Sequence, residues 1–479
     1  MVLNKNTLQN LFLIILTITV SFNASINPLM VQFSSISFII FFLFCLRNIK
    51  ILEMIKKNYI DNNVFFIFFL IYISYLIIQI IPLPLSLIEI IAPNNFNLYT
   101  SIKIDKDLWS LSIDPSSSYF GILNVINFLI IFLTFPVLFN RSKYLMKFLF
   151  FLCVLGFCHS VFATYWMLIG NPSNFLIQKI HYIHASTGLF VNRSVFGTFL
   201  FLCAFSSLYY MVIFFQKNQI INFSFAEQIK SKIFFIRIFI IFISIGILTT
   251  WSRAANFSYI LILFAFLFYS KISFKKYINP LSSVIIFILI FDVFVMALFF
   301  GNAKLIERYA ETTVLREATR IDLQIFAIDQ FKNFWIFGYG GGSFGQLFKI
   351  FFTLPLGIVA QYAHNDGLEL LGEIGVLGIS ILILLYISYF RKIIHDIKEN
   401  KQMTFPGMEP EKKKDVSDIF AKNLVKNYNL YDAEPGGEMV INNNGQIMME
   451  SELKKQFEKE ELEKEETKYL KSVYPKQAS

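Results

Sequence analysis

The chain has 479 residues, 56% of them hydrophobic and 58 of them Phe, with a formal net charge of +9. That much apolar surface exceeds what a soluble core of this length buries, so the composition excludes a soluble globular protein and points to an integral membrane protein. The basic excess lies between apolar runs, where it marks membrane sidedness, and not nucleic-acid binding.

Apolar runs long enough to cross a hydrocarbon core of about 30 Å predict about ten helices. In chain order they are Leu8 to Phe22, Val31 to Leu46, Val64 to Ile81, Gly121 to Leu138, Leu145 to Ile169, Ser194 to Gln216, Phe234 to Thr250, Ala254 to Ser270, Ser282 to Phe300 and Gly367 to Phe390. The first lacks a strong basic start and a small-residue cleavage site, and it reads as a retained span. The expected fold is an all-α, polytopic membrane helix bundle, since barrel strands would alternate over about ten residues.

Connections carrying Arg47, Lys50, Lys56 and Lys57, then Arg141, Lys143 and Lys147, then Lys217, Lys230 and Lys232, then Lys271, Lys275 and Lys276, and finally Arg391 and Lys392, all fall on one side. The positive-inside rule makes that side cytoplasmic, with both termini on it. The opposite side receives the stretches 80–119 and 170–193, the turn at Ser252 and Arg253, and a long loop, 301–363. Within that loop, Thr313 to Phe334 has near-helical apolar spacing and predicts an amphipathic helix on the membrane or over a cavity. Residues 1–400 thus form the membrane domain. After Lys401 the composition turns polar and charged, so 401–479 reads as a cytoplasmic tail, disordered or partly helical around Ser451 to Tyr474. The four cysteines fall within predicted spans, where packing is their expected role.

The outward side carries the candidate chemistry. Arg193 and Arg253 break the positive-inside pattern there, either as headgroup anchors or as an anion site, for which paired guanidinium groups suit a diphosphate. Arg320, on the amphipathic helix, offers a further phosphate contact. The cluster Gly338-Tyr339-Gly340-Gly341-Gly342-Ser343 is not a P-loop, and it reads as a sharp turn or a glycan or phosphate contact. His364, with Asn365, Asp366, Glu369 and Glu373, stands at the mouth of the last span, where polar groups serve chemistry, transport or helix association. His181 and His184 lack a third ligand with which to form a metal site. Asp292 lies inside a span and calls for a partner or cavity.

The set Ile81-Pro82-Leu83-Pro84, Leu111-Ser112-Ile113-Asp114-Pro115, Thr187 to Arg193, Trp251-Ser252-Arg253, Gly338 to Phe344, and His364-Asn365-Asp366 with Glu373-Ile374-Gly375 resembles, in this order, the O-antigen ligase and polymerase family. The resemblance covers roughly Ile80 to Phe390, and it implies further spans after Phe390 where this chain turns polar. It implies an inverting membrane glycosyltransferase that needs no metal or other cofactor. The enzyme would sit among the lipids of the bacterial inner membrane, with its site facing the periplasm. The donor would be a polyprenyl-diphosphate-linked glycan and the acceptor a lipid A core, a second lipid-linked glycan in a polymerase, or a protein. Arg193 and Arg253 would hold the diphosphate and His364 would act as general base. Arg320, Asn365, Asp366, Tyr339 and Glu373 would contact substrate. A transporter would instead need a polar path and repeated halves, which the sequence lacks, and a noncatalytic scaffold would leave these residues scattered.

Overall fold

The computed structural model describes residues 3–23, 28–101, 107–172, 184–217, 232–274, 282–292, 294, 314–352, 360–398, 439–441 and 447–449. The chain divides into two compact units, Met1–Pro410 and Glu411–Ser479.

The first unit is helical: α1 (Lys5–Asn23), α2 (Pro28–Leu46), α3 (Ile49–Asp61), α4 (Asn63–Ile80), α5 (Leu85–Ile91), α6 (Pro93–Ser101), α7 (Pro115–Leu138), α8 (Ser142–Leu168), α9 (Arg193–Lys217), α10 (Lys232–Thr249), α11 (Arg253–Phe274), α12 (Ser282–Asp292), α13 (Val314–Asn333), α14 (Phe344–Phe351) and α15 (Asp366–Lys398). Among the described residues, eight helices are long and apolar enough to cross a membrane: α2, α4, α7 to α11 and α15. Helices α1 and α12 stand at the two other positions expected from the sequence, and the rest of the run from Ser282 lies largely outside the described residues.

Two packing groups make up the bundle. In one, α8, α9, α10 and α11 bury Leu200, Ile240, Ile243, Ile247 and Tyr259. In the other, α1 packs on α2, α2 and α4 pack on α7, and α15 packs on α4, with Phe12, Phe38, Phe41 and Phe139 forming an aromatic centre. Outward side chains such as Phe257, Phe264 and Phe268 of α11 stay exposed, as a helix facing lipid requires. Asp292 finds its partner in Ser244 of α10, which donates a hydrogen bond to the carboxylate beside the buried Tyr259.

Local sequence sets the helix starts. Asp114 caps α7 through the Ser117 N–H (3.2 Å), with Pro115 in the first turn where its missing N–H costs nothing. The 24 residues of α7 run about 36 Å, enough to cross. The short turn after Leu138 sends α8 back, so the end of α8 returns to the membrane surface where α7 began.

Several elements lie outside the spans expected from sequence. Helix α3, too charged for a span, has Asn48 as its cap and buries Ile51, Ile55 and Asn58 while Lys50, Lys56 and Lys57 stay exposed. Between α4 and α7 the chain forms α5, α6 and a two-stranded antiparallel ladder of β1 (Leu83–Pro84) with β2 (Leu108–Trp109). In the second unit, β3 (Met439–Ile441) pairs antiparallel with β4 (Ile447–Met449), Val440 opposite Met448, in a tail expected to be helical or disordered. The helical stretch expected at Ser451 to Tyr474 lies outside the described residues.

Candidate active site

The last span is broken where the glycine cluster meets it. Gly375 has φ 62° and ψ −176°, so α15 bends and the backbone groups around the bend need partners from elsewhere. The strip 335–340 supplies them. The N–H groups of Tyr339 and Gly340 donate to the carbonyls of Gly372 (3.0 Å) and Glu373 (2.9 Å), while Val376 and Leu377 donate to Trp335 (2.8 Å) and Ile336 (3.2 Å). From α4, Gln79 Nε2 donates to the carbonyls of Phe337 (2.6 Å) and Glu373 (3.1 Å), and the Tyr75 hydroxyl lies 2.7 Å from the Phe337 carbonyl and 2.6 Å from that of Ile374.

This clamp explains the glycines. A Cβ on Gly338, whose φ is +74°, would lie 2.3 Å from the Glu373 carbonyl oxygen, and one on Gly372 would enter the Tyr339 ring. The same loop is knitted to the segment before α7: Ile113 N–H donates to the Tyr339 carbonyl (2.9 Å), Ser118 Oγ donates to that of Gly341 (2.8 Å), and Ser112 Oγ lies 3.3 Å from Ser343 Oγ. The geometry therefore favours the turn among the readings left open for this cluster.

The helix that begins just before the break presents His364. Its backbone φ of 55° is uncommon for a residue with a side chain, and such conformations persist where the surroundings over-determine them. Asn365 caps α15 through the Leu368 N–H (3.2 Å), and its carbonyl accepts from Glu369 N–H (2.9 Å). Glu369 reaches back so that its Oε2 accepts from the Ala363 N–H at 2.8 Å. The His364 backbone is thus flanked by two anchored neighbours, and its side chain is exposed. Partial withdrawal from water lowers its pKa below the ordinary value, the Arg320 guanidinium lowers it further, and Asp366 opposes both.

Arg193 and Arg253 form a second grouping. Each opens a helix, α9 and α11, and the two starts adjoin: Ser252 Oγ lies 3.2 Å from Ser194 Oγ, and the Gly197 backbone is so close to Ala255 that an added Cβ would sit 2.5 Å from the alanine methyl. Trp251, at φ 55°, donates its indole N–H to the His184 carbonyl (3.2 Å), and Ser186 N–H donates to that of Thr249 (2.9 Å). Asn171, just past the end of α8, donates to the Ala185 carbonyl (2.9 Å), tying this corner to the surface to which α8 returns.

The expected site residues therefore fall into Arg193 with Arg253, and His364 with Arg320, Asn365 and Asp366. Tyr339 and Glu373, expected to contact substrate, turn inward. Tyr339 is fully buried and the Glu373 carboxylate faces the backbone N–H groups of Gly342 and Phe344. His184 is exposed, and His181 lies outside the described residues. Helix α13 buries Leu323, Phe326 and Ala327 and exposes Ile321, Ile325 and Ile328, so the apolar residues read as one face occupy two.

Glu369, read in the sequence only as part of the polar cluster around His364, has its role in the bond to the Ala363 amide. Replacing it with alanine removes a charge-assisted acceptor, and the Ala363 amide is expected to exchange its hydrogen faster by about 10- to 100-fold, equivalent to the roughly 1.5–3 kcal/mol of such bonds. Exchange mass spectrometry over 360–366 measures it, and unchanged protection would remove Glu369 from this role.

Residues 238–383 match the family model described as O-antigen ligase, a membrane glycosyl-transfer family. The match spans α10 to the middle of α15, taking in Arg253, Arg320 and His364 and leaving out Arg193. No curated protein and no solved structure matches the chain.

Proposed function

We propose that this membrane protein of the O-antigen ligase family moves a glycan from a polyprenyl diphosphate to an acceptor hydroxyl at the periplasmic face of the bacterial inner membrane. The observation that supports this reading is the adjoining pair of helix starts bearing Arg193 and Arg253, together with His364 just before the helix that carries the clamp.

The chemistry follows from these groups. The acceptor oxygen bonds to the anomeric carbon as the bond from that carbon to the diphosphate oxygen breaks, and His364 takes the acceptor proton. The two guanidinium groups, reinforced by the positive ends of α9 and α11, neutralise the charge gathering on the leaving diphosphate. A single displacement of this kind inverts the anomeric centre. Ligase, polymerase and protein-acceptor reactions share the machinery and differ in the acceptor.

The test is transfer from a polyprenyl-diphosphate glycan in vesicles. Arg193→Ala and Arg253→Ala are each expected to slow it by about 10²–10³-fold, as removal of one preorganised group on a developing anion does. Retained rates in either inserted variant would remove that arginine from the donor site. Product length separates one addition, a ligase, from a ladder, a polymerase.

The pH dependence carries a sign. A base works in its neutral form, so a lowered His364 pKa puts the acidic limb of the rate below about 6.5. Arg320→Gln removes a charge that disfavours imidazolium and is expected to move the limb up, whereas Asp366→Asn moves it down. Limbs that coincide in all three proteins would show that His364 does not titrate in the reaction.

A further inference from the structure

The bundle has a second polar feature at the membrane surface opposite the clamp. A cavity of about 430 Å³ opens there, lined by Lys5, Lys50 and Arg141 together with Asn4, Asn48 and Asn140. Among the described residues, no carboxylate lines it. The walls are tied together: Lys5 Nζ donates to Asn140 Oδ1 (2.7 Å) and lies 5.1 Å from the centre of the Tyr144 ring, while Asn48 Nδ2 donates to the Leu3 carbonyl (2.8 Å). Asn140 is itself buried, at 3% exposed.

The three cations come from three different helices, each at its beginning: Lys5 opens α1, Lys50 lies in the first turn of α3, and Arg141 immediately precedes α8. Three positive helix ends therefore add to three positive side chains, a concentration of unlike origin but like sign. Ile51 and Met54 give the same cavity an apolar side. The turn at Asn140 and Arg141 joins two spans, so the cavity stands at headgroup level.

We propose that this cavity binds the phosphodiester headgroup of an anionic phospholipid. Cations meet the phosphate, the apolar side meets the glycerol and first methylenes, and the site fastens α1, α3 and α8 to one another. Free inorganic phosphate has the same anionic chemistry but no use for the apolar wall or for a position at headgroup level.

The full chain, purified in a neutral detergent at about physiological salt, is titrated with short-chain phosphatidylglycerol, phosphatidylcholine of equal chain length, and inorganic phosphate while its thermal midpoint is followed. Phosphatidylglycerol is expected to raise the midpoint saturably and phosphatidylcholine to leave it unchanged. The Lys50→Gln/Arg141→Gln double variant, altered only at exposed side chains, is expected to bind about 10-fold or more weakly. Lys56→Gln/Lys57→Gln, which removes the same charge from the exposed face of α3, is expected to bind as wild type. The proposal is overturned by equal response to both lipids, by no saturable response, or by equal weakening in the two double variants. A response to phosphate matching that to phosphatidylglycerol would overturn the lipid in favour of a free anion.

Discussion

Replacing His364 with alanine is expected to lower glycan transfer by about 10²–10⁴-fold, the contribution of a positioned general base, while the protein still inserts and folds. The expectation rests on how little else depends on the side chain. The imidazole is exposed, and the bonds that fix this corner are made by Glu369 to the Ala363 amide and by Asn365 to the Leu368 amide. Alanine at 364 must still adopt a φ of 55°, a strain of order 1–3 kcal/mol that histidine already bears. Transfer in vesicles, normalised to inserted protein, gives the answer. A variant within a few-fold of wild type would deny His364 the proton-transfer role, and rescue of the rate by added imidazole would support it.

Gly375→Ala is expected to have the largest effect on stability. At φ 62° and ψ −176° the backbone lies in a region essentially reserved for glycine, so a side chain there costs about 1–3 kcal/mol before any collision. The collision is with backbone: the new Cβ would lie 2.4 Å from the Ile336 carbonyl oxygen and 2.5 Å from the Gly338 nitrogen. Neither can swing away as a side chain could. Moving the strip 335–340 aside would orphan its bonds to α15, at about 1–3 kcal/mol for each buried group left unmade. The variant should lose its monodisperse elution profile or melt well below wild type. Gly341→Ala is the control, because a Cβ there meets nothing within 4 Å. Equal melting of the two variants would contradict the clamp.

The spans were legible because lipid leaves helices little choice but a long apolar run, and that signal is local. A helix over Thr313 to Phe334 was legible from its spacing, and its observed bounds, Val314–Asn333, lie within one residue of that stretch, although its apolar residues do not share one face. Helix α3 was hidden because its lysines disqualify it as a span, although its capping Asn48 stands in plain view. At the candidate site, residue types on the side expected to face outward marked Arg193, Arg253 and His364, but not how they group. That Arg193 lies beside Arg253 depends on Ser194 meeting Ser252, a contact 58 residues apart. The glycine cluster was visible as a motif and opaque as a device, since its meaning lies in the carbonyls of Gly372 and Glu373 and in Gln79, 258 residues before the Phe337 it contacts. Tyr339 and Glu373 were expected at the substrate through the resemblance; in the fold Tyr339 is buried and the Glu373 carboxylate faces the N–H groups of Gly342 and Phe344.

The pairing of α4 with the bend in α15 also bears on biogenesis. Tyr75 leaves the ribosome 299 residues before the Ile374 whose carbonyl it meets. Throughout synthesis of the intervening chain, the C-terminal end of α4 carries an amide and a phenol whose acceptors do not yet exist. This end of α4 therefore gains its partners only once the segment carrying Phe337 and the bend of α15 has been made. A chain interrupted ahead of Ile374 would leave Tyr75 and Gln79 without the acceptors they meet in the fold.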